Sequence, residues 1–208
     1  PLGSRTKLTL PDGTLVWLNA GSRITYSQGF GVGNRKIELI GEGYFEVKRN
    51  EEVPFLVKTN SLLVKVLGTK FNFRDYPDDA EAIVSLSEGK VALNNLLKKE
   101  KEAFLLPNER VVLNKKNGRM HVEYSTVSNA LQWTNGYLFF DEELLPDVVK
   151  ELERSYNVKI QIASDTLNTF RFYGNFVHRE QNIQEVLEAL SATRKIHYII
   201  EGHNITLY

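Results

Sequence analysis

From Lys7 to Tyr124 the hydrophobic positions recur with a period of two, the spacing of strands that bury one face. Leu8 and Leu10 alternate with Lys7 and Thr9, Pro11-Asp12-Gly13 marks a turn, and the pattern resumes at Leu15–Leu18. The same reading predicts strands at 23–26, 36–40, 44–48, 55–58, 62–67, 70–74, 82–86, 90–93, 103–106, 109–113 and 119–124. Glycines and Asn/Asp clusters separate them at intervals of about ten residues, as in a sandwich, barrel or wound strand array. No stretch in this part holds a helical period for three turns.

Around residues 125–135 the pattern loosens into a polar linker carrying Trp133, a residue expected to pack at a domain junction. Beyond Gly136 the period changes. A strand at 136–140 leads into a helix whose apolar stripe is Leu144, Val148 and Leu152 with Leu145, Val149 and Tyr156. Pro146 falls in the first turn, where a missing N–H costs little. A return strand follows at 158–162. The unit is then written again: strand 170–177, a helix with Ile183, Val186, Leu187 and Leu190 on one face, and strand 196–200. Asn182, with Glu185 three residues on, predicts a capping box at the second helix start. A turn at 201–204 delivers a final strand at 205–208. Two amphipathic helices over a small sheet satisfy this pattern.

Strand 170–177 sorts its side chains. Phe170, Phe172 and Phe176 share one face and suit a core, whereas Arg171, Tyr173 and Asn175 share the other. Arg and Tyr are favoured at protein interfaces, so these three residues are candidate partner-binding positions, weighed against an ordinary solvated strand face. The terminal strand supplies a second candidate, with Asn204 and Thr206 on an edge that could accept a partner strand.

Composition narrows the chemistry. The 208 residues are 42% hydrophobic and 25% charged, ordinary for a soluble folded chain of one large or two small domains. Pro1–Ser4 reads as a protease-cleavage scar, which makes the chain a fragment. Net charge is zero, but residues up to Asn135 carry 19 basic and 15 acidic side chains and the remainder 7 and 11. Nucleic-acid binding is not expected, because the densest basic run, Lys98-Lys99-Glu100-Lys101, is interrupted and sits in a loop. With no cysteine, disulfides, zinc–thiolate sites and thiol nucleophiles are excluded. No apolar run is long enough to span a membrane.

Several constellations resemble active sites and are read otherwise. The Gly29–Arg35 loop is followed by a strand, whereas a phosphate cradle needs a helix N-terminus. His197, Glu201 and His203 lie along one hairpin and lack a fourth feature supporting zinc. Asp141-Glu142-Glu143 precede a helix, whose dipole favours negative charge. Asp78, Asp79 and Glu81 form a loop cluster after Pro77. Catalytic, cofactor-binding and metal-binding residues are therefore all expected to be none, and the chain is expected not to be an enzyme.

The chain resembles the periplasmic region of FecR-like anti-sigma factors. The resemblance rests on Leu10–Thr14, Trp17–Ser22, Leu39–Val47, Pro54–Val57 and Val66–Asn72, with Gly136…Phe140, the helix after Leu144 and Gly174-Asn175-Phe176 following in order. Gly43 stands where that family more often has alanine. The resemblance implies the periplasmic, signal-sensing part of a single-pass inner-membrane regulator. Its partners would be the signalling domain of a TonB-dependent, SusC-like outer-membrane receptor and, through a cytoplasmic region, an extracytoplasmic-function (ECF) sigma factor. The cytoplasmic segment and the membrane helix have no counterpart in these residues.

The expected fold class is α+β: an all-β, jelly-roll-like sandwich over 5–125 (alternative: a solenoid-like winding), a linker at 126–135, and a βαβ-βαβ domain at 136–208. The resemblance likens that last domain to the short secretin/TonB N-terminal (STN) domain. A carbohydrate-binding or glycan-processing β domain is the alternative function, requiring exposed aromatics such as Trp17, Tyr26 or Tyr44 on one face.

Overall fold

The computed structural model describes residues 1–124, 127–178 and 180–208. The chain is α+β and divides into two compact units, Arg5–Leu131 and Gln132–Tyr208 together with Pro1–Ser4. The boundary expected at 125–126 lies outside the described residues. Within the anticipated linker, the described part holds a helical turn, α1 (Val127–Ala130), and a 3-10 turn, Gln132–Asn135, in which Trp133 is buried.

The first unit is one twelve-stranded sheet bent into two leaves. Its strands are β1 (Thr6–Thr9), β2 (Leu15–Leu18), β3 (Arg23–Tyr26), β4 (Arg35–Glu46), β5 (Phe55–Lys58), β6 (Leu62–Val66), β7 (Lys70–Asp75), β8 (Glu81–Glu88), β9 (Val91–Asn95), β10 (Ala103–Leu105), β11 (Glu109–Asn114) and β12 (Met120–Tyr124). Sequence periodicity suggested separate strands at 36–40 and 44–48; the structure joins them as β4. Its first half pairs with β3 and β5, its second with β2 and β7. Successive hairpins then alternate between the leaves: β5–β6 and β9–β10 extend one, β7–β8 and β11–β12 the other. Both leaves turn their alternate apolar residues into one core, where Phe45 stacks on Phe71 at 5.0 Å between ring centroids.

The bend in β4 has an identifiable cause. Gly41 takes φ +100°, and a Cβ there would stand 2.4 Å from Ser22 Oγ. The freed backbone is recaptured: Ser22 Oγ accepts from the Glu42 amide at 2.8 Å, and the Glu42 carbonyl accepts from the Asn19 amide at 3.0 Å. The buried Glu42 carboxylate accepts from Asn19 Nδ2 and Asn72 Nδ2, each at 2.8 Å. Below this corner Arg35 is buried and donates to the carbonyls of Lys48, Asn50 and Val53 and to Asp12, holding two loops against β4 and β5. Asp12 also accepts from the Thr14 amide and hydroxyl, closing the Pro11–Thr14 turn.

The second unit repeats strand–helix–strand: β13 (Tyr137–Leu144), α2 (Leu145–Tyr156), β14 (Lys159–Ile162), then β15 (Arg171–Val177), α3 (Ile183–Ser191) and β16 (Tyr198–Glu201), followed by β17 (Asn204–Leu207). β13 pairs antiparallel with β15, and β14, β17 and β16 form a three-stranded sheet in that order. Pro146 sits in the first turn of α2, and Asn182 and Glu185 form the full capping box of α3. Val148, Leu152, Val186, Leu187 and Leu190 bury against Leu138, Phe140, Phe172 and Phe176. Among the described residues no helix is long and apolar enough to cross a membrane.

Replacing Gly41 by alanine combines left-handed strain with a clash at Ser22 and is expected to destabilise the two-leaf unit by about 3 kcal/mol. Urea unfolding followed by circular dichroism measures it; an unchanged midpoint would remove Gly41 as the cause of the bend.

Candidate partner-docking face

β15 is built by alternation, and its pairing with β13 decides which side is wet. Phe172 and Phe176 point into the core with rings stacked at 6.1 Å, and Phe140 of β13 packs beside both. Gly174 lies between them because a Cβ there would come within 2.7 Å of the Phe172 ring. The opposite face carries Arg171, Tyr173 and Asn175, all exposed, with Tyr173 at 68%. The three partner-binding candidates on this strand therefore lie on one accessible surface.

Two residues that sequence reasoning left unsorted join them. Phe139 stands opposite Asn175 and Tyr137 opposite Val177. The Phe139 ring meets Tyr173 edge-on at 6.4 Å, so an aromatic strip runs across both strands. The signal was present in Tyr137-Leu138-Phe139-Phe140, where Leu138 and Phe140 are buried and their neighbours are not.

The rim of this face is an irregularity. The β13–β15 register shifts between Phe140 and Glu143, and Glu142 takes φ +52°. Arg171 Nη1 donates to the Glu142 carbonyl at 2.6 Å, so the guanidinium of this exposed residue closes the bulge. Asp141, Glu142 and Glu143 thus belong to the strand; the acid in the first turn of α2 is Asp147. Helix-dipole stabilisation, expected for all three, does not explain them.

The second candidate edge is not an edge. β17 is the middle strand of its sheet, parallel to β14 in the register Ile160↔Ile205 and antiparallel to β16 in the register Ile200↔Ile205. Asn204 and Thr206 consequently have strands on both sides, and no partner can add at their backbone. The miss is one of topology: the last strand of the chain inserts between two earlier ones, a pairing that local pattern does not reveal.

Other sequence candidates resolve as structure. Among the described residues no three of His, Cys, Asp and Glu gather as a metal-ion group, so His197, Glu201 and His203 are not brought together as one. Trp17 and Tyr44 pack against each other at 5.3 Å with planes 50° apart, and Lys7 Nζ lies 4.4 Å from the Trp17 ring centroid. Tyr44 is buried, which together with the neighbouring Glu46 carboxylate pushes its phenol upward from the ordinary range. Tyr26 belongs to the other leaf and leans on Phe30. These three rings do not make a flat sugar platform.

Comparison with known proteins agrees with this architecture. The FecR protein family profile matches residues 1–92 and the FecR C-terminal profile residues 137–207. Two crystal structures of a candidate anti-sigma factor from Parabacteroides distasonis ATCC 8503, at 1.65 and 2.50 Å resolution, are each 34% identical to this chain. They superpose with TM-scores of 0.90 and 0.89, covering 100% of this chain and 95% of that one. No curated protein matches. The chain belongs to the FecR family of anti-sigma factors, membrane-anchored regulators that act on sigma factors and are not enzymes.

The inward and outward sides of β15 should separate cleanly in stability. Phe172→Ala is expected to cost about 3–5 kcal/mol, whereas Tyr173→Ala should stay within about 0.5 kcal/mol. Chemical denaturation of the full chain compares them; equal losses would contradict the assigned strand faces.

Proposed function

We propose that this chain is the periplasmic sensing part of its regulator, and that residues 136–208 dock the signalling domain of a TonB-dependent outer-membrane receptor. The message passes through residues 5–125 toward a membrane helix and a cytoplasmic region that controls an ECF sigma factor. We assign residues 126–135 as the connecting segment, the first unit as a jelly-roll-like sandwich, and the second as an STN-like domain.

The observation that carries the docking reading is the outer face of β13 and β15. Tyr137, Phe139 and Tyr173 supply rigid aromatic area, Asn175 supplies adaptable hydrogen bonding, and Arg171 stands at the rim. Aromatic and arginine anchors dominate interface energetics, and a two-χ tyrosine loses little entropy when a partner covers it. Membership in a family of signalling regulators supports the same reading.

Calorimetric titration of the full chain against N-terminal signalling domains of receptors encoded beside its gene tests this. One domain should bind, and Tyr173→Asp or Arg171→Glu should weaken it at least tenfold, about 1.4 kcal/mol, with the fold retained. Absence of heat with every such domain would falsify the proposed partner, and unaltered affinity in both variants would remove this face.

A further inference from the structure

The three-stranded sheet has two outer edges, and the chain treats them differently. In β14 the amides of Lys159 and Ala163 pair toward β17, so the amide of Ile160 points away from it. That outward amide is plugged: the Glu153 carboxylate of α2 accepts from it at 2.9 Å. A side-chain acceptor on an edge amide is one way a protein keeps foreign strands from pairing there.

Among the described residues β16 carries no such plug. His197 and Tyr208 exchange both backbone hydrogen bonds, at 2.9 and 3.0 Å. Antiparallel pairing alternates, so with Tyr198↔Leu207 and Ile200↔Ile205 in register, Tyr198 and Ile200 turn their N–H and C=O groups away from β17. Ile199 is 50% exposed on the outer face, and Ile200 is 39% exposed beside Ile205 on the core face. Tyr198-Ile199-Ile200 contains no proline, bulge, lysine or inward charge, the usual devices for protecting an edge. Charge brackets the strand instead, with Arg194 and Lys195 exposed before it and Glu201 exposed at its end.

We propose that the open edge of β16 accepts an extended segment of the docked partner as a fourth strand, a contact that rests on the docking reading above. The outward groups of Tyr198 and Ile200 require a main-chain ligand, since only a second backbone offers donors and acceptors at strand spacing. The occupant carries β-branched or other apolar side chains that cover Ile199 on one face and Ile200 on the other. It places an acidic residue near Lys195 and a basic residue near Glu201.

Hydrogen exchange on the full chain, free and saturated with the receptor signalling domain that binds it, reads this edge directly. The amides of Tyr198 and Ile200 should exchange at least tenfold more slowly in the complex. Ile200→Pro removes an outward donor but no bond to β17, at an edge position where proline is tolerated, and should weaken binding at least tenfold. Ile199→Lys, on the exposed outer face, should do the same and guards against a folding defect in the proline variant. If the domain binds while both amides stay unprotected and both variants bind normally, the edge is excluded and the docking face stands. Sedimentation showing that two copies of this chain pair through β16, lost in Ile199→Lys, would overturn a heterologous occupant. If no domain binds, the docking reading and this contact fall together.

Discussion

Backbone pairing is the constraint on which this structure depends. A buried strand must place every N–H and C=O, and in the first unit that requirement is met by letting one strand serve two leaves. β4 changes partners at Gly41, and the backbone groups released by the bend are taken up by the Ser22 hydroxyl and the Asn19 amide, while the Glu42 carboxylate ties the Asn19 and Asn72 side chains to the corner. The loops outside the ladder are treated alike: Arg35 collects the carbonyls of Lys48, Asn50 and Val53 on a single buried guanidinium. A buried charge is costly unless its donors are used, and here the hydrogen bonds to carbonyls and to Asp12 offset that cost.

Much of this was legible from residue order. The period-two runs from Leu15 to Tyr124 and the repeated strand–helix–strand after Gly136 fall within a few residues of the observed elements, because turn chemistry and amphipathicity are local. What was not legible is non-local. Gly41-Glu42-Gly43 reads as a break, yet only Gly41 bends, because Ser22 stands against it from another part of the chain. The last strand reads as an edge, yet it inserts between β14 and β16. Likewise the pairing of Phe139 with Asn175, which widens the candidate docking face, depends on a register set by a bulge at Glu142. The Gly-Glu-Gly and Asn-Ala-Gly-Ser motifs that carried the family resemblance meet at the corner of β4. Their physical role is to turn the sheet.

In the second unit the same constraint separates what is finished from what is open. Phe172 and Phe176 complete the core, and Glu153 closes one sheet border. The outward side chains of β15, and the aromatic strip they share with β13, lie on the face turned away from the core. A regulator of this family needs a surface that recognises another protein, and surplus aromatic area on a rigid two-stranded platform has the chemistry for it.

The central claim, that residues 136–208 recognise another polypeptide through the outer side of β15, is tested most directly by photo-crosslinking. A benzoylphenylalanine placed at position 173 of the full chain, irradiated in cells that express the neighbouring receptor, should yield an adduct with the receptor's signalling domain. The same probe at Phe104, exposed on the two-leaf unit, should not. An adduct from position 104 with none from 173 would contradict the account.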